Sequence, residues 1–111
     1  MRSSHWRVPG WLALGLVLPP TLALADPPTP ERQQALVHLV RHDCGSCHGL
    51  SLNGGLGPAL TPEALRDRPP RVLIDSILRG RPGTAMPPWQ GLLTEAEVSW
   101  IVERLREGLE K

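Results

Sequence analysis

The pentapeptide Cys44-Gly45-Ser46-Cys47-His48 constrains this chain more than any other feature. It is the C-x-x-C-H pattern of covalent haem attachment. Two thiols separated by two residues can both add to the vinyl groups of one porphyrin, while the adjacent histidine is held on one face of the ring to ligate iron. A fold built on this pattern must wrap a flat, rigid group, and much of its core is then cofactor rather than side chain.

Three other uses of the same residues are weaker. A disulfide between Cys44 and Cys47 closes a tiny ring, stabilises little and leaves His48 without a role. A thioredoxin-like pair wants alternating strands and helices, which the chain lacks. A zinc site needs more ligands nearby, and beyond the leader the other histidines are only His38 and His42.

The first 25 residues read as an export signal. Arg2 and Arg7 give a basic start, Trp11 to Leu18 an apolar run, and Leu22-Ala23-Leu24-Ala25 a small-x-small cleavage pattern, so cleavage is expected after Ala25. Gly15 and Pro19-Pro20 interrupt the apolar run, which disfavours a stable membrane anchor. The expected location is the periplasm. Residues 26–30 form a Pro-rich linker and residues 31–111 one domain.

That domain contains no Phe or Tyr, and its tryptophans are Trp89 and Trp100. A chain of this size with so few aromatics needs a staple, a metal or a cofactor to complete its core. Arg2 and Arg7 remove two of the 12 basic residues with the leader, leaving one fewer base than the 11 acids, so nucleic acid is not an expected partner. Charge is locally basic from Arg66 to Arg81, a stretch suited to haem propionates, to docking or simply to solvent.

The periodicity predicts an all-α domain with about four short helices. Leu36, Leu39 and Val40 mark a first helix from Glu31 to Asp43, ending at Cys44. Glycines and Pro58 make the next stretch a loop. Thr61-Pro62-Glu63 opens a short helix to about Arg68. Val72, Leu73, Ile74, Ile77 and Leu78 define a helix from Arg71 to Arg79, with Gly80 as its stop. After a loop from Arg81 to Leu93, the Thr94/Glu97 capping box begins a helix whose stripe is Val98, Ile101, Val102, Leu105 and Leu109. Trp100 lies off that stripe, on the side of Ala96.

His48 is the expected proximal iron ligand. For the other face the domain offers one methionine, Met86, in a loop stiffened by Pro87 and Pro88, where a thioether would raise the potential of the iron; core filling is the plainer use of such a residue. His38 and His42 precede Cys44 on the side already committed to attachment and read as surface residues. The Gly57-Pro58 turn is placed to offer a carbonyl to the second ring nitrogen of His48. Trp89 is expected at the haem edge or in a partner contact. The cofactor set is therefore one covalent haem c held by Cys44, Cys47, His48, Met86 and Pro58, with His48 and Met86 on the metal.

An N-terminal helix running into C-x-x-C-H, a Gly-Pro turn, a Met-Pro loop and a C-terminal helix together resemble the class I cytochrome c family over nearly all of residues 31–111. The resemblance implies that the first and last helices cross, with Trp100 and Ile101 at the crossing and Ala96 allowing close approach. Two stretches, Val37 to Leu65 (with VRHDCGSCHGLSLNGGLGPALTPEAL within it) and Ile77 to Trp89 (ILRGRPGTAMPPW), are similar to the small monohaem cytochromes of denitrification gene clusters. That likeness implies a monomeric, non-enzymatic single-electron carrier whose redox partner is the dissimilatory cytochrome cd-type nitrite reductase. Two other roles stay open. One is a factor in maturation of that reductase's haem d-type cofactor; the other is a peroxidase-like activity, should Met86 leave the iron readily.

Overall fold

The computed structural model describes residues 10, 15–21 and 25–110, and the expected leader lies largely outside them. Among the described residues there is no strand, and no helix is long and apolar enough to cross a membrane.

Helix α1 (Pro30–Leu39) starts one residue before the predicted Glu31. Its N-cap is Thr29, whose hydroxyl accepts from the Arg32 N–H, and Pro30 takes the first position, where a missing N–H costs nothing. The Gln33 side chain donates to the Pro28 carbonyl at 2.9 Å, folding the end of the linker back onto the helix.

The chain does not leave helical geometry at Cys44, as the sequence pattern suggests. From Val40 to Cys44 it widens into a single π turn, and Gly45 donates to the Val40 carbonyl five residues back. It then tightens again into α2 (Gly45–His48), which ends at Gly49. Hydrophobic spacing does not report such a turn, because it changes hydrogen-bond partners without interrupting the helix. One unbroken helical run therefore carries both thiols and the imidazole, with the π turn setting how far they are rotated from the buried face of α1.

Three shorter helical units complete the fold. Helix α3 (Pro62–Leu65) is capped by Thr61, whose hydroxyl accepts from Ala64 N–H, and it stops three residues short of the predicted Arg68. Helix α4 (Pro70–Arg79) includes Pro70 at its first position, one residue before the predicted start, and Gly80 follows it. Helix α5 (Glu95–Glu107) carries the expected capping box in full. It ends at Gly108, so Leu109 packs against the core from the turn beyond the helix rather than from its stripe.

The core is aliphatic. Leu36 and Val40 from the first helical run meet Val98 and Ile101 of α5, all at most 1% exposed, and Ile74 and Leu78 close it from α4. Between His48 and α3, the buried Leu52 holds φ +60, a conformation few non-glycine residues adopt; its N–H donates to Gly49 and its carbonyl accepts from Leu60. The loop thereby turns a leucine inward beneath the attachment segment.

Helices α1 and α5, the first and last, are joined at Arg32 and Glu97, where guanidinium Nε and carboxylate Oε1 are 2.5 Å apart. Trp100 is half-buried; it shares a groove with Pro30, Gln33 and Val37 of α1, and the Arg104 guanidinium lies 6.0 Å above its ring. Its off-stripe position is explained by the proximity of α1.

Candidate functional site

Cys44, Cys47 and His48 sit on the same helical run, and the loop that follows folds back to grip it. The Gly57 N–H donates to the Cys47 carbonyl at 2.8 Å, and the Gly54 N–H donates to the His48 carbonyl at 2.8 Å. This return brings Pro58 to the imidazole: His48 Nδ1 lies 2.6 Å from the Pro58 carbonyl oxygen. A carbonyl can only accept, so Nδ1 carries the hydrogen and Nε2 is left as the nitrogen with a free lone pair.

Gly57 fixes the ring from another direction. A Cβ at this position would stand 2.8 Å from both Cε1 and Nδ1 of His48, so only glycine lets the turn come this close. The sequence flags the Gly-Pro turn as a source of a carbonyl but not this packing, which depends on the loop's return path.

The two thiols are in different surroundings. Cys44 is half-buried against the core, and burial, helped by the neighbouring Asp43 carboxylate, pushes its thiol up to about 11. Cys47 is exposed, and neither residue is in a disulfide.

Met86 belongs to a separate segment, held by the end of α4 rather than by the cysteine helix. Its carbonyl accepts from Arg81 N–H at 3.1 Å, and its own N–H donates to the Thr84 hydroxyl, which in turn donates to the Arg81 carbonyl at 2.6 Å. Trp89 and Gln90 N–H groups donate to the Ile77 and Leu78 carbonyls, tying the far end of the loop to the last turn of α4. Gly80 lies beneath it. At φ +67, a Cβ there would approach the Met86 carbonyl oxygen to 2.7 Å and Pro87 to 2.8 Å. Sequence reading identifies Gly80 as a helix stop; its second duty, making room for the methionine loop, is a tertiary contact with no local signature. The same holds for Thr84 as the clasp of that loop. The Met86 and Trp89 side chains are half-buried.

Of the basic stretch, Arg71 is engaged by Glu95 at 2.5 Å and Asp75 at 3.1 Å, whereas Arg66, Arg68, Arg79 and Arg81 are exposed. His38 and His42 also lie on the surface, with their ring centroids 4.1 Å apart.

These donors fit a haem. Two free thiols could take its covalent attachment, and an imidazole whose Nδ1 is occupied and a thioether in a braced loop are donors that could hold its iron.

Comparison with known proteins also points to a covalent haem. Residues 31–103 match the family model described as cytochrome C oxidase, cbb3-type, subunit III. The chain is 58% identical over 100 residues to cytochrome c55X of Pseudomonas aeruginosa, covering 88% of this chain and 84% of that one. It is 55% identical over 94 residues to cytochrome c55X of Paracoccus denitrificans, covering 85% and 91%. A solved structure of the c-type cytochrome NirC superposes with a TM-score of 0.72 at 59% identity, covering 73% of this chain and 95% of that one. The dihydro-heme d1 dehydrogenase NirN, solved in complex with DHE, superposes with a TM-score of 0.58 at 39% identity, over 62% of this chain but 15% of that one. With the family model matched over most of the domain, the chain belongs to this family of c-type cytochromes, and its cofactor is one haem c.

Proposed function

We propose that this cytochrome is a periplasmic single-electron carrier that delivers electrons to the dissimilatory cytochrome cd-type nitrite reductase. The observation that carries the reading is the pair of braced segments: an imidazole fixed by the Pro58 carbonyl, and a methionine on a loop clasped to Arg81 just beyond α4 and tied at its far end to the last turn of that helix. Bound haem supplies a one-electron iron couple, the chemistry of a carrier. The protein's part is to keep the donors still. Pro58 holds the hydrogen on Nδ1 and makes the imidazole a better donor through Nε2, Gly57 fixes the plane of the ring, and the Thr84 clasp presents the Met86 thioether. In this reading His48 and Met86 would both ligate the iron, so that the haem would exchange electrons rather than bind a substrate, and the protein is not an enzyme. The leader residues 1–25 account for export. The named relatives support this assignment, as does the resemblance of the C-x-x-C-H and Met-Pro-Pro segments to cytochromes of denitrification gene clusters.

A second reading draws on the likeness to dihydro-heme d1 dehydrogenase, which is 36% identical over 94 residues. Removing hydrogen from a dihydro-haem releases electrons, and a separate small cytochrome of the same type is suited to accept them. Deleting the gene distinguishes the two. Loss of a carrier leaves a fully assembled nitrite reductase starved of electrons, and purified enzyme is active with an artificial donor. If the reductase instead lacks its haem d-type cofactor, the carrier reading is overturned in favour of maturation.

A further inference from the structure

We propose that His38 and His42 form a surface chelate for a divalent late transition-metal ion, with Cu2+ preferred over Ni2+ and Zn2+, separate from the iron site. The two residues are four apart, His38 in the last turn of α1 and His42 in the π turn that follows. Their rings already face one another, with centroids 4.1 Å apart and planes inclined at 44°. Two histidines at this spacing on one helical face are a recurrent chelating pair.

The backbone that presents them is fixed from the other side. Leu36 and Val40, which interleave with the histidines, are fully buried, so the spacing of the two rings does not have to be assembled when a metal arrives. Among the described residues neither ring is hydrogen-bonded to another group, in contrast to His48, whose Nδ1 is occupied by Pro58. Arg41, between them in sequence, is paired with Glu110. Imidazole is a borderline ligand that favours Cu, Ni and Zn over Mg and Ca, and among divalent ions the affinity order peaks at Cu2+. With two protein donors the remaining positions fall to water, which makes this an exchangeable site.

The test uses the haem-loaded protein and Cu2+ alone, titrated by calorimetry at neutral pH. One saturable Cu2+ per chain is expected, with Ni2+ and Zn2+ weaker and Mg2+ silent. His38→Gln or His42→Gln turns a two-point attachment into a one-point one and lowers the Cu2+ affinity by about a hundredfold. Both positions are exposed and glutamine is a good helix former, so the haem spectrum and helical content of the variants stay at wild-type values. The proposal is overturned if the wild type shows no saturable binding, if Mg2+ binds as well as Cu2+, or if His38→Gln and His42→Gln keep the wild-type Cu2+ affinity.

Discussion

The imidazole of His48 is held at its edge by the Pro58 carbonyl, 2.6 Å from Nδ1, and on another side by the backbone of Gly57, where an added Cβ would stand 2.8 Å from the ring. Neighbouring residues of one turn thus set both the tautomer and the tilt of the ligand. The arrangement is economical because the turn is itself tied to the helix it grips, through Gly57 N–H and the Cys47 carbonyl.

Gly57→Ala tests that packing. The new methyl group cannot be accommodated unless the ring rotates or the turn retreats, and either movement lengthens the bond to Pro58. A loss of about 1–3 kcal/mol is expected, as for overpacking in a filled interior. It should be accompanied by a change in the oxidised haem spectrum, reflecting altered imidazole ligation. Denaturant unfolding read alongside that spectrum checks both; wild-type values in each would show that the ring is not confined by this glycine.

A second pair of variants separates the methionine from the loop that carries it. Met86→Ala removes the thioether from a half-buried position without touching the loop's hydrogen bonds. The expected result is loss of the sulfur-to-iron band near the red end of the oxidised spectrum and a lower reduction potential, with the backbone hydrogen bonds of the loop retained. Gly80→Ala keeps the sulfur but places a methyl group 2.7 Å from the Met86 carbonyl oxygen, at a φ that alanine avoids. It should weaken the same band and in addition lower stability by about 2 kcal/mol. A Gly80→Ala protein with a normal band and normal stability would mean that the loop does not rest on this residue.

The division between what could and could not be foreseen follows the range of the interactions. Thr94 with Glu97, the apolar run from Val72 to Leu78 and Gly80 after it are local signals, and the helices they mark lie within a few residues of their predicted positions. The C-x-x-C-H segment is legible because its chemistry depends on spacing alone. The π turn is not, since Val40 and Cys44 continue a helical pattern while their hydrogen bonds shift by one residue. Leu109 fits the last stripe by its spacing, yet Gly108 at φ +100 ends the helix first. Gly57 against an imidazole, Gly80 against a methionine carbonyl and Arg32 across from Glu97 are contacts between distant segments. No local pattern announces them.

Glu97 provides the pH-dependent prediction because its two carboxylate oxygens do different work. Oε1 lies 2.5 Å from Arg32 of the first helix, and Oε2 accepts from the Thr94 N–H at 2.9 Å, closing the capping box. The Arg32 guanidinium, and after it the Thr94 backbone N–H, hold the Glu97 carboxyl below the usual carboxylate range. A carboxyl with a depressed folded-state pKa binds its proton less readily in the native protein than in the unfolded chain. Its contribution to stability is therefore complete above the unfolded value, about 4.3, and is lost as pH falls through the lower folded value. Glu97→Gln should be less stable than wild type at neutral pH and nearly equal to it in strong acid, where the wild-type side chain is itself uncharged. Thr94→Ala removes the hydroxyl acceptor of the Glu97 N–H but leaves the Arg32 pair, so it should cost about 1 kcal/mol at neutral pH and keep most of the acid-dependent loss. Denaturant midpoints of the three haem-loaded proteins across the acid range distinguish these cases. A Glu97→Gln curve parallel to wild type at every pH would show that the carboxylate charge, and with it the ion pair between the first and last helices, does not stabilise the fold.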